Sequence, residues 1–465
     1  RNSMSIYIKN GKVVREDDVK ELNILIEDEH IKKIDKPANF TDKEVSDSDE
    51  IDAEGCYVFP GIIDAHTHYL LKSRNTVTAD DFYSGSIASV FGGVTTFIDF
   101  IDDENERDRT FKDALDNRIK EARDSVVDYS FHQSVYDFNE KTPQQLRSIK
   151  EEGINNIKIY TTYRNEGYLI EEDKLYELFK TLKQLEMLPI VHAEDNEIIE
   201  KNQKKFKEEE KTDLKYHPDI RTAQAEADAI ANIAELIDIF DMPGYIVHLS
   251  SKKGLEELRK RQAKGVKITA ETAPHYLVLD REWLTKEDGY LYYMTPPLRT
   301  KEDNESLWEG LIKDDIDVVA TDHCAFDITQ KKMGDDAFNT LPGIPGSETL
   351  LPLVYHFGQK KGLELVDMIK KLSTNPAKIY GLYPQKGSLK ENTDADLVIF
   401  DPKKARKLNS IFMHSNSGYS PYSHIEVEGF PITTISRGSI IVNKGAYRGH
   451  RGHGKFIKAE KSSLY

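Results

Sequence analysis

Two cysteines, Cys56 and Cys324, are all that 465 residues contain. They stand far apart in the chain, which argues against a disulfide framework and fits a reducing compartment. No run of about 18 uninterrupted apolar residues occurs, and no signal-peptide pattern opens the chain. The expectation is therefore a cytoplasmic protein with no membrane partner. Positive charge is also in deficit: 64 Lys and Arg face 81 Asp and Glu, for a formal net charge of −17. That balance argues against nucleic acid or an anionic lipid surface as the main partner. Internal repeats and long low-complexity segments are missing as well. Arg1, Asn2 and Ser3, ahead of Met4, read as an expression remnant and are set aside from fold reasoning.

What is present is a change of pattern along the chain. "SIYIKNGKVV" and "LNILIEDEHIKKI" alternate apolar and polar residues around an "NGK" turn, as antiparallel strands do. From about residue 57, short apolar strands alternate with charged helix-period segments such as "EEDKLYELFKTLKQLEML". Eight such strands can be read: "YVFPGIIDAH", "VTTFIDF", "VDYSFHQS", "NNIKIYT", "LPIVHAE", "GYIVHLSS", "VKITAETAP" and "DVVATDHC". Eight βα units in about 320 residues predict an α/β fold, a (β/α)₈ TIM barrel. After residue 385 the alternation returns to hairpin type in "GSLKENTDADLVIFDP" and "FPITTISRGSIIVNKGAYRG". The expected organisation is a small β-sandwich built from residues 4–57 and 385–450, flanking a barrel over 58–384. A basic tail, 451–465, is expected to be loosely ordered or packed on a neighbour.

In a barrel, polar residues at the C-terminal ends of strands read as chemistry. Here nearly every strand ends in one: His66 and His68, Asp99, His132, Lys158, His192, His248, Glu271 and Asp322. Singly, each has a structural reading. A lone strand-end histidine is more often hydrogen-bonded than ligating, Asp322 could cap the next segment, and Lys158 could reach solvent. Together they predict a metal centre. His66 and His68, two residues apart, share a strand face and can reach one ion. Lys158 cannot bind a metal as an ammonium. Buried among cations its pKa should fall, and the neutral amine can add CO₂ to give a carbamate with two ligand oxygens.

"GIIDAHTH", "KIY", "VHAE", "VHLSS" and "ATDHC" resemble the binuclear amidohydrolase superfamily, and within it the cyclic amidohydrolases. The resemblance covers essentially the whole chain. It implies two divalent ions, zinc first, with manganese and iron as alternatives. His66, His68, Lys158 as N6-carboxylysine and Asp322 would hold one ion; Lys158, His192 and His248 would hold the other. Dihydroorotase-like members place an arginine where this chain has Leu70, after Tyr69. By contrast "ADDF", "SGS" and "GGVTTFIDF" resemble dihydropyrimidinases and hydantoinases, as does "NIKIYTTY". In that family the tyrosine matching Tyr163 donates to the oxyanion. Two segments depart from the family pattern, "MTPPLR" with Thr295 in place of serine, and a shortened "LPGIPGSE" containing Gly343. They would hold the ring amide of a small cyclic substrate.

The implied activity is hydrolysis of the cyclic C–N bond of dihydropyrimidines or 5-substituted hydantoins to N-carbamoyl amino acids. A hydroxide held between the metals would attack, with Asp322 as proton shuttle. The alternatives are an allantoinase-type enzyme and a non-catalytic dihydropyrimidinase-related scaffold; the intact ligand set argues against the latter. A homo-oligomer, specifically a tetramer, is expected. His323 is expected to face away from the site, Glu271 and His275 to order it, and Asp99 and His132 to be structural.

Overall fold

The apolar run from Tyr57 to His66, expected as one strand, is two. Tyr57–Pro60 pairs antiparallel with Leu397–Phe400, and Ile62–Thr67 then enters the barrel. Gly61 makes the break: a Cβ there would collide with the Thr95 side chain, so only glycine lets the chain pass from one sheet to the other. The structure is a computed structural model and describes residues 4–102 and 109–465.

Eight parallel strands lie side by side in chain order: β1 (Ile62–Thr67), β2 (Val94–Ile101), β3 (Asp128–Ser134), β4 (Asn156–Tyr160), β5 (Leu188–His192), β6 (Gly244–Ile246), β7 (Ile268–Thr272) and β8 (Val318–Val319). All eight sequence-predicted strands are present. Their residues are buried on both faces, which is why the runs are near-continuously apolar rather than alternating. Between β8 and β1 closure is made by a bridge and a buried side chain. The His68 amide donates to the His323 carbonyl at 2.7 Å. The Asp64 carboxylate accepts from the Thr321 amide at 3.0 Å and from its hydroxyl at 2.6 Å. Ile63, Ile98, Ile190, Tyr245 and Val318 fill the barrel interior.

The intervening helices form the outer ring. Glu172–Leu185 is typical: Leu175, Leu178, Phe179 and Leu182 make one buried stripe at helical spacing, and the helix stops where Glu186 turns left-handed. Both chain ends contribute to the flanking sandwich. Its four-stranded sheet comes from residues 5–52, and its seven-stranded sheet joins Lys12–Val14, Val19–Glu21 and Tyr57–Pro60 to four strands between 397 and 447.

The barrel is bolted to the sandwich by a buried ion cluster. Lys386 donates to Asp128 at 2.6 Å and Asp396 at 2.7 Å, and lies 2.9 Å from Asp394; Arg437 adds a 2.9 Å bond to Asp128. Three clustered carboxylates here are no metal site, because the ammonium already stands among their oxygens. Residues 451–465 are not loose. The amides of Gly454, Ile457 and Ala459 donate to the carbonyls of Ser125, Tyr129 and Gly153, fastening the tail across the N-terminal ends of β3 and β4.

Candidate active site

Where the barrel strands end, their polar residues gather on the floor of a cleft of about 780 Å³. His66 and His68 leave β1 on one face, as their two-residue spacing requires, with Nε2 atoms 3.2 Å apart. Asp322, from the loop after β8, brings Oδ1 to 3.0 Å and 3.2 Å of those two nitrogens. On the other side His192 Nδ1 lies 3.1 Å from His248 Nε2. Lys158 lines the same cleft, with Nζ 4.6 Å from the Phe100 ring centre and 4.7 Å from that of Tyr160.

Carboxylates behind the imidazoles fix which nitrogens face inward. His66 Nδ1–H donates to Glu271 at 2.7 Å, and His192 Nε2–H donates to Glu194 at 2.5 Å. Each ring therefore turns a bare lone pair toward the cluster. Glu194 is held in turn by Arg221, whose Nη2 lies 3.0 Å away. One ligand atom each from His66, His68 and Asp322, all within 4.8 Å of one another, make a donor set that a divalent cation fits.

The electrostatics agree. Burial pulls Lys158 down to about 8, against the attraction of Asp322, Asp102 and Glu271. Burial and the neighbouring charge of His192 hold His248 well below its usual value, keeping it neutral. Burial acts against protonation of His66, but Asp322 and Glu271 raise it to about 9 when no cation is present.

Four cleft residues hold left-handed backbone that non-glycine side chains seldom adopt: Asp322 at φ 52°, His248 at 38°, Tyr163 at 63° and Arg74 at 52°. Such conformations cost on the order of 1–3 kcal/mol each and persist where the surroundings impose them. Tyr163 lines the cleft above the floor, with Arg221 stacked on its ring at 4.7 Å. Burial pushes its phenol up, with the guanidinium groups of Arg221 and Arg74 pulling the other way, so it is protonated at neutral pH. Thr295 and Gly343 line the same cleft. A Cβ on Gly343 would strike the Cys324 carbonyl, which explains the glycine.

Every expected site residue thus lies in one place, and the expected bystanders lie outside it. His323 donates to Asp80 at 2.9 Å on the far face, and Asp99 ties Thr67, Tyr69 and Arg118 together. His132 pairs with Asn156 and the Ala65 carbonyl. Sequence reasoning gave no role to Glu194, Asp102, Arg221 or Lys331. Glu194 was within reach, because it follows His192 by the same two-residue step that joins His66 to His68. Arg221 follows a short helix with no local sign of its destination. Lys331, fully buried, donates to the carbonyls of Tyr293, Leu341 and Gly343 and so clamps together the two segments that carry Thr295 and Gly343.

Comparison with known proteins agrees with this geometry. Residues 57–441 match the model of the Amidohydrolase family. The chain is 35% identical to a D-hydantoinase of Geobacillus stearothermophilus, with 98% of this chain and 97% of that relative covered. It is 34% identical to D-phenylhydantoinase of Escherichia coli K12, with 98% of each covered. A crystal structure of dihydropyrimidinase from Brevibacillus agri superposes with a TM-score of 0.94 at 33% identity, covering 99% of both chains. An L-hydantoinase (dihydropyrimidinase) structure from Arthrobacter aurescens gives 0.89 at 27% identity, over 97% of this chain and 99% of the other.

Proposed function

The chain belongs to the amidohydrolase family, and from that premise we propose that it opens the ring C–N bond of a cyclic amide. The substrates would be dihydropyrimidines or 5-substituted hydantoins, and the products N-carbamoyl amino acids. The observation that carries this is the convergence of four imidazoles, Lys158 and Asp322 on one cleft floor beneath Tyr163. His66, His68, Lys158 and Asp322 would hold one divalent ion, and Lys158, His192 and His248 a second, Lys158 bridging as N6-carboxylysine. Such ions, zinc in the first instance, acidify water and polarise a carbonyl when bound.

The protein's own groups do the rest. Asp322 takes the proton of the attacking water and returns it to the leaving ring nitrogen. Despite burial it is held well below the usual carboxylate range, in the absence of a cation, by the charge of His66 and by hydrogen bonds from His66 and His68. Tyr163 donates its hydroxyl to the oxygen on which negative charge develops. Thr295 and the Gly343 backbone hold the ring amide, their segments clamped by Lys331. Domain limits of 4–57 with 385–450, 58–384 and 451–465, a cytoplasmic setting and a homotetramer complete the proposal. No helix among the described residues is long and apolar enough to cross a membrane, which fits it.

Tyr163→Phe is expected to lower kcat by roughly 10²–10³ with metal content unchanged, since one oxyanion donor is removed and no metal donor is touched. Full retained activity would remove the tyrosine from this role. The reading as a whole is tested by a ring-opening assay on metal-analysed protein with dihydrouracil, a 5-substituted hydantoin and allantoin in parallel. Turnover of allantoin alone would favour the allantoinase alternative. Turnover of none by metal-replete protein would favour the scaffold.

A further inference from the structure

The cleft separates into an inner cluster and an outer wall of contrasting charge. All its histidines, Lys158, Asp102 and Asp322 belong to the floor; Asp102 is there because it lies 3.5 Å from His68 Nδ1. The wall above is made of Leu71, Met294, Phe326 and several tyrosines, with one formal charge, Arg74. A ring whose scissile amide sits at the floor must direct its substituent toward this wall.

Arg74 is built to face it. Lys72–Ser73 and Thr76–Val77 pair as a hairpin, and Arg74 and Asn75 form its two-residue turn at φ 52° and 61°. Two successive left-handed residues make the tight turn that matches strand twist and presents its side chains in a set direction. The hairpin is anchored behind the tip, where Gln330 donates to the Thr76 hydroxyl at 2.9 Å and to the Val77 carbonyl at 2.7 Å. The guanidinium lies 5.8 Å from the Tyr163 ring centre and makes no ion pair among the described residues. Arg221, the other guanidinium near Tyr163, is already committed to Glu194. Among the described residues, Glu166 shares with Arg74 a polar cavity adjoining the cleft.

We propose that Arg74 determines specificity by binding an anionic substituent, a carboxylate carried on the ring, so that acidic cyclic amides are preferred over neutral ones. This rests on the cyclic-amide reading. A guanidinium presents paired donors to a carboxylate, and this one stands exposed at the hairpin tip with the Tyr163 ring beside it.

The test compares 5-carboxymethylhydantoin with its neutral isostere, 5-carbamoylmethylhydantoin, on metal-replete enzyme. The ratio of kcat/KM, acid over amide, is expected to exceed 10 in the native enzyme. It should fall about 10- to 100-fold in Arg74→Gln, the range for a hydrogen-bonded charge, and below 1 in Arg74→Glu. Raised ionic strength should lower the native ratio, because the contact is partly solvent-exposed. A native ratio at or below 1, or one that Arg74→Gln leaves unchanged, overturns the assignment while the cyclic-amide reading stands. Hydrolysis of neither ring overturns both.

Discussion

Lys158→Ala is expected to reduce turnover by about 10³-fold or more, the scale of losing a metal's share of transition-state stabilisation, and to leave fewer than two metal ions per chain. The lysine is 1% exposed, walled by Phe100 and Tyr160, and lines the cleft with the histidines and Asp322. Burial brings it to about 8, so roughly a tenth of the amine is neutral at pH 7. That fraction can attack CO₂: an N–C bond forms, the nitrogen releases its proton, and the amine becomes an anionic ligand with two oxygens. Lys158→Arg separates this chemistry from packing, since arginine keeps bulk and charge but stays protonated and forms no carbamate. It should be as inactive as the alanine variant. Metal analysis that still finds two ions per chain in either variant would refute the bridging carbamate, as would intact-protein mass spectrometry of native enzyme showing no added CO₂ under non-denaturing conditions.

The largest effect on stability is expected from Lys386→Met, a loss of about 3–5 kcal/mol, the usual consequence of removing one partner from a buried ion cluster. Methionine fills similar space, so the loss would come from charge rather than from a cavity. Among the described residues, Asp128, Asp394 and Asp396 would keep Arg437 and, when protonated, His30 at 3.7 Å from Asp394, in a site where all three are at most 5% exposed. The sign with pH follows from linkage. Without the ammonium, buried carboxylates are raised above their unfolded values and the folded state binds more protons, so stability falls as pH rises. The deficit relative to native protein should therefore be larger at pH 8 than at pH 5, in denaturant curves taken at both. An equal deficit at the two pH values would mean that the lysine acts through packing alone.

Much of the site was legible in the one-dimensional pattern because barrels obey a local rule. Each strand is a short apolar run, and most of the polar residues that end the strands face the same mouth, Asp99 and His132 being exceptions held by structural hydrogen bonds. His66, His68, Lys158, His192, His248 and Asp322 could be gathered that way without knowing a single long-range contact. Glu194 obeyed the same two-residue step and could have been gathered with them.

Other features have no local signature. Residues 57–66 read as one continuous strand because hydrophobicity does not record which sheet a strand joins; the steric limit at Gly61, imposed by Thr95 from another strand, makes that division. The tail looked unattached because its partners are backbone carbonyls more than 300 positions earlier in the chain, which composition cannot reveal. Arg221 behind Glu194, Lys331 across three carbonyls and Arg74 on its hairpin tip are ordinary cations in the sequence. The amino-acid sequence by itself determined the barrel, the sandwich ends and the chemistry at the strand termini, since strand length, periodicity and residue type are local properties. Only the tertiary structure decided which cations are paired with carboxylates and that Arg74, with no ion pair among the described residues, faces the cleft, because that depends on distances between residues far apart in the chain.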